Sequence, residues 1–177
     1  MPDPDLVEPV GARDHVRGPD GAAIEVVEYG DYECPYSRAA YRYVRRGQRS
    51  TAGGLRFAFR HFPLPAKHPH AQKAAEAAEA AAAQGRFWEM HDLLFSNQAA
   101  LELEDLRRYA GELGLDVDRF DAELESSAHA ARVGVDVASG RASGVDGIPV
   151  LFFDGRRRFG RGFGGFTAAL DDTVADQ

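Results

Sequence analysis

A chain of 177 residues, 44% apolar and 28% charged, has the length and composition of one globular domain with an ample core. A formal charge of −7 gives general nucleic-acid binding no electrostatic support, and a single cysteine excludes any disulfide within the chain. No run approaches the ~20 apolar residues that span a bilayer. Met1-Pro2-Asp3-Pro4-Asp5 has neither the basic nor the apolar region of a signal peptide. The sequence therefore reads as cytoplasmic, without membrane insertion, although a chain trimmed of its export signal would read the same way.

Residues 1–13, rich in Pro and Asp, read as a flexible N-terminal tail. Ile24 to Tyr29 reads as a strand. Pro35 suits the first turn of a helix, where its missing N–H costs nothing, and that helix should run to about Gly47. It carries Arg38, Arg42, Arg45 and Arg46, read as a solvated face. Leu55, Phe57 and Phe59 alternate with Arg56, Ala58 and Arg60 and mark a second strand.

A helical block follows. Nine of the thirteen residues from Ala71 to Ala83 are alanine, the best helix former, and Gly85 is placed to end that helix. Ala74, Ala78 and Ala81 would let helices pack closely. Phe87, Met90 and Leu94 recur at helical spacing, and Leu103, Leu106, Ala110 and Leu113 repeat the pattern before Gly114. Asp116 is a plausible N-cap for a short helix bearing Phe120 and Leu124, and a further helix should span about Ser127 to Arg141. Val150-Leu151-Phe152-Phe153 returns to strand character. Asp154-Gly155 is a two-residue hairpin signal, with Arg156 to Gly160 as the returning strand. A glycine-rich loop, Gly160 to Gly165, should lead to a last helix near Phe166 or Thr167.

The stretch most charged with chemistry is Val26-Val27-Glu28-Tyr29-Gly30-Asp31-Tyr32-Glu33-Cys34-Pro35-Tyr36-Ser37. It places the only sulfur nucleophile between a strand and a helix, where the positive end of the helix favours a thiolate. A lone cysteine with no such context would be read as inert core filling. Asp31 and Glu33 oppose ionisation, so the expectation is a modest depression of the Cys34 pKa. The Ser37 hydroxyl, three residues on, can donate to the thiolate but cannot close a disulfide.

These residues resemble the DsbA-like branch of the thioredoxin superfamily, where a strand leads to Cys-Pro-x-Cys and the first cysteine is the nucleophile. The resemblance extends to Phe59-Arg60-His61-Phe62-Pro63-Leu64, the segment from His68 to Leu94, and Gly147-Ile148-Pro149-Val150. It departs at Ser37, which stands where the second cysteine would be. The resemblance implies an α/β, thioredoxin-like fold with a helical insertion domain: a core at 14–67 and 126–177, and the insertion at 68–125. It also implies a cis Ile148-Pro149 bond beside the sulfur, with Ile148 open to pair with a substrate backbone.

The activity so implied is that of a monothiol thiol–disulfide oxidoreductase. Cys34 and Ser37 would be the catalytic pair, and Pro35, Tyr36, Ile148 and Pro149 the substrate-binding residues. A mixed disulfide would be resolved by an external thiol, with glutathione or another low-molecular-weight thiol as co-substrate rather than a tightly bound cofactor. The partner would be a disulfide-containing or thiolated protein, or a small thiol. Two rivals are a glutathione-dependent transferase or isomerase on a related fold, and a non-catalytic thioredoxin-like binding module.

No metal site is expected. His68, Pro69 and His70 lack helical ligand spacing, no His-Glu-x-x-His motif occurs, and surface or capping roles are the cheaper reading for His68, His70 and His91. His61 reads as a core histidine.

Overall fold

The computed structural model describes residues 5–51 and 54–159. Their strand order is β1-β3-β2-β4-β5, with β1 His15–Arg17, β2 Ile24–Gly30, β3 Leu55–His61, β4 Val150–Phe153 and β5 Arg156–Phe159. Only β2 and β3 run parallel, in register from Ile24 opposite Leu55 to Gly30 opposite His61. The parallel pair needs a crossover, and α1, Pro35–Ser50, supplies it.

β2 is central and buried on both faces, which explains why successive residues such as Val26 and Val27 are both apolar; Glu25 alone in the strand is partly exposed. Ile24 and Val26 face the larger core with Phe57, Phe59 and the helices; Val27 and Tyr29 face a smaller one with Phe62 and Phe152. Between β3 and β4 lie α2 Ala71–Ala82, α3 Phe87–Ser96, α4 Leu103–Glu112, α5 Val117–Glu125 and α6 Ala130–Ala142. Alanine makes α2 thin enough to be buried on nearly every side. Asp116 caps α5 by accepting the Arg119 N–H at 3.0 Å, as its sequence position implies. Asp154 and Gly155 take φ of +48° and +77°, the conformation of a tight hairpin turn.

One strand has no sequence signal and one expectation needs correction. β1 adds to the far edge of β3, with His15 opposite Phe59. Residues 5–13 are not a loose tail. Arg60 donates to the Glu8 and Pro9 carbonyls at 2.9 and 3.2 Å, the Leu6 N–H donates to the Gly155 carbonyl, and Leu6 and Val10 pack on the smaller core. A buried guanidinium needs acceptors, and this strap provides two of them. The glycine-rich loop and last helix expected beyond Gly160 lie outside the described residues.

α6 approaches the sheet closely at Gly140, where a Cβ would come within 2.9 Å of the Phe62 and Tyr29 rings. No helix among the described residues is long and apolar enough to cross a membrane.

Candidate active site

Cys34 is the N-cap of α1, with extended backbone and Pro35 as the first helical residue. Its N–H donates to the Asp31 carbonyl at 3.1 Å, and its carbonyl accepts the Arg38 N–H at 3.1 Å. Gln98, in the α3–α4 loop, donates to the carbonyls of both Tyr32 and Cys34, at 2.6 and 2.9 Å. The insertion helices thus hold the cysteine loop from above. Gln98 carried no signal in the sequence, because its role depends wholly on where that loop returns.

The sulfur is at the expected helix end but is not exposed: Cys34 is 3% accessible. Its pKa moves the other way from the sequence expectation. Burial pushes the thiol up; hydrogen bonds from the Ser37 and Tyr36 backbone and the Ser37 hydroxyl pull it down; the Asp31 charge pushes it up again. Desolvation is the largest influence, so the resting group is a thiol. Ser37 is fully buried, and its Oγ also accepts the Asp31 N–H at 3.2 Å. Tyr36 is 60% exposed.

The acidic loop is fastened by His68 and His70. Asp31 accepts from the Glu33 and Leu64 N–H groups at 2.8 and 2.9 Å and meets His68 Nδ1 at 2.8 Å. Glu33 accepts the His70 N–H at 2.7 Å and meets His70 Nδ1 at 2.7 Å. That hydrogen bond with Glu33 raises the His70 pKa. His91 is neither a surface nor a capping residue. It is buried among Tyr32, Phe59, Phe87 and Phe95, with Nδ1 3.0 Å from the Tyr32 hydroxyl, and desolvation holds its pKa well below the ordinary value.

One group near this strand escaped sequence reasoning. Glu28, on β2 six residues before Cys34, is fully buried, neither carboxylate oxygen has a hydrogen-bond partner, and burial raises its pKa to about 8. It shares the strand face of Ile24 and Val26, and only the alternation of β2 could have flagged it. Ile148-Pro149, expected to be cis, is cis, and it immediately precedes β4.

His61, Glu79 and Asp136 bring potential ligand atoms within 4.8 Å of one another. Glu79 Oε1, both carboxylate oxygens of Asp136 and His61 Nε2 are engaged inside the protein, whereas His61 Nδ1 is buried without a hydrogen-bond partner. Glu79 Oε1 meets His15 Nε2 at 2.9 Å and His61 Nε2 at 2.8 Å, while Asp136 accepts from the His61 N–H and from Arg132. Burial pushes the Glu79 carboxyl up, and the hydrogen bonds from His15 and His61 more than reverse it, holding the group well below the usual carboxylate range. The cluster ties β1, β3, α2 and α6 together.

A cysteine at the cap of the helix that follows a central strand, a cis-proline entering the neighbouring strand of the sheet, and a block of helices between them are the arrangement of a thioredoxin-like domain. The chain belongs to the family of DSBA-like thioredoxin domains, whose model matches residues 25–167. It is similar in structure to BdbD from Bacillus subtilis in its oxidised form, with a TM-score of 0.79, 21% identity, and 98% of this chain and 97% of the other covered. A thioredoxin-like oxidoreductase from Silicibacter pomeroyi gives a TM-score of 0.77 at 26% identity, covering 94% of this chain and 92% of the other.

Among curated proteins, the chain is 50% identical over 157 residues to Na(+)/H(+) antiporter NhaA 3 of Salinispora tropica, covering 88% of this chain and 24% of that protein. It is 47% identical over 144 residues to Na(+)/H(+) antiporter NhaA of Herminiimonas arsenicoxydans, covering 81% of this chain and 23% of that one. The chain therefore spans about a quarter of the length of these relatives.

Proposed function

We propose that this domain carries out thiol–disulfide exchange through the single sulfur of Cys34. The Cys34 thiolate attacks one sulfur of a partner disulfide. A Cys34–partner S–S bond forms as the original bond breaks, and the displaced sulfur leaves as a thiolate. An external thiolate, glutathione or another low-molecular-weight thiol, then attacks the partner's sulfur and returns Cys34 as thiolate. Each step exchanges one disulfide for another, so no further oxidant is consumed.

The observation that carries this reading is the N-cap thiol with Ser37, rather than a second sulfur, hydrogen-bonded to it on the same turn. Ile148 and Pro149 are proposed, from the family resemblance, as the edge that sets the partner backbone, with Pro35 and Tyr36 on the other side. The raised pKa bears on direction. A thiolate that is costly to form leaves slowly from a disulfide, which favours taking up a partner sulfur over passing on a disulfide. Glu28, with a pKa of about 8, is the buried group on the preceding strand able to exchange a proton near neutral pH.

The test is intact-protein mass spectrometry after incubation with oxidised glutathione. The expected result is one adduct per native chain, located at Cys34 and discharged by reduced glutathione. A second reading, a non-catalytic binding module, is favoured by the 3% accessibility of Cys34. It wins if the native chain forms no adduct while the denatured chain does.

A further inference from the structure

We propose that the substrates of this site are polypeptides carrying acidic residues close to the reacting cysteine, drawn in by an arginine ridge along α1. The inference rests on the thiol-exchange reading and names its substrate class. At about 100° per residue, Arg38, Arg42, Arg45 and Arg49 fall within about 60° of one another around the helix. Cys34 lies one turn before Arg38, at the edge of the same sector. The buried side of α1, carrying Ser37, Ala40, Val44 and Gly47, faces away from this ridge. Arg46 flanks it.

α1 has no acidic residue, and none of its five arginines makes an ion pair among the described residues. This is unusual in a chain of net charge −7 whose other helices are laced with ion pairs, such as Arg108 with Asp105 and Glu112. Carboxylates beside α1 are already committed. Asp92 of α3 is held by Arg17 at 3.0 Å, Asp31 by His68 and Glu33 by His70. The ridge thus presents an uncompensated positive field beginning one helical turn from the sulfur.

The length of the ridge sets the partner's dimensions. The eleven residue steps from Arg38 to Arg49 span about 16 Å, which an extended chain covers in about five residues. At the far end lies a cavity of about 290 Å³ lined by Arg17, Arg45, Gln48, Arg49 and Gly54, with no carboxylate on its walls. Arg17 there is occupied by Asp92, which leaves Arg45 and Arg49 to receive a carboxylate of the partner. An acidic run of about five residues, beginning about two residues from the cysteine, fits both the spacing and the charge.

The experiment uses three synthetic peptides, each with one cysteine activated as a pyridyl disulfide and followed by four glutamates, four glutamines or four lysines. Release of the pyridyl thiol by the reduced protein is followed at low and at high salt. The expected order is glutamate over glutamine over lysine. The glutamate advantage should be about tenfold at low ionic strength and collapse at high salt. In the variant carrying Arg42→Glu and Arg49→Glu, which takes the four-arginine ridge from +4 to 0, the glutamate advantage should collapse, with the glutamine peptide as the reference rate for each protein.

Failure of the glutamine peptide to react with Cys34 overturns the exchange reading itself. Equal rates for all three peptides overturn only the acidic preference. A glutamate preference that survives charge reversal also overturns the proposal, because the attraction then arises elsewhere. If the variant fails to fold, the salt dependence of the wild-type glutamate-to-glutamine ratio decides alone: no salt effect refutes the ridge.

Discussion

Replacing Glu28 with glutamine should stabilise this protein, and by an amount that depends on pH in a defined way. The carboxyl is fully buried without a hydrogen-bond partner, and burial lifts its pKa from 4.5 to about 8. Between those values the folded chain holds a proton that the unfolded chain has released, so folding stability falls as pH rises through the interval. At about 1.4 kcal/mol per pH unit, the penalty is under about 1 kcal/mol at pH 5, about 3 kcal/mol at pH 7 and about 5 kcal/mol well above pH 8. Glu28→Gln keeps the shape and cannot ionise. The difference between variant and wild type should therefore open from near zero at pH 4 to about 3 kcal/mol at pH 7, or ~6–12 °C in Tm for a chain of this size. Urea denaturation of both proteins at matched pH values measures it. The difference between the two curves isolates Glu28 from every other titrating group. A difference that stays constant from pH 5 to pH 8 would refute the argument, because it would mean that the carboxyl ionises in the folded protein as it does in the unfolded one.

Two further outcomes follow from the same structure. Ser37→Ala removes a hydrogen bond that favours the Cys34 thiolate, so the pKa read from the pH dependence of iodoacetamide alkylation should rise further; an unchanged or lower value would mean that the hydroxyl does not serve the sulfur. Arg60→Met strips Asp14 of its 2.7 Å ion pair and frees the Glu8 and Pro9 carbonyls, and should cost about 3–5 kcal/mol in denaturant unfolding. Adding Asp14→Asn should recover part of that loss, and no recovery would show that the strap contacts, not the stranded charge, dominate.

Features written in local sequence were legible; features made by return of the chain were not. The β2 strand, the Asp116 cap and the Asp154-Gly155 turn each depend on a few neighbouring residues, and each is where its pattern places it. β1 is three residues long, too short for any periodicity, and exists because β3 offers an edge. The N-terminal strap is invisible without Arg60, which lies about fifty residues away. His91 carries no sign of its aromatic enclosure, since the rings around it come from the β2–α1 loop, β3 and α3.

The Cys34 pKa divides in the same way. The helix end and Ser37 are local and act as the sequence implies, whereas the desolvation that outweighs them comes from tertiary packing.

That division also says what governs reactivity. Three carboxylates flank the sulfur in sequence, and each is handled differently. Asp31 is buried under two N–H donors and His68, Glu33 is paired with His70, and burial holds Glu28 protonated at neutral pH. With their charges met or suppressed, burial becomes the chief restraint on the thiolate, and Asp31 adds the last and smallest push. A restraint of that kind is reversible in a way that a fixed neighbouring charge is not. Admitting water or a polar partner to the sulfur removes the desolvation, while the Ser37 and Tyr36 hydrogen bonds stay in place to receive the negative charge. The closed site therefore keeps the thiol quiet, and whatever opens it also activates it. A partner held along α1 would lie beside the capped end of the helix, where that opening has to occur.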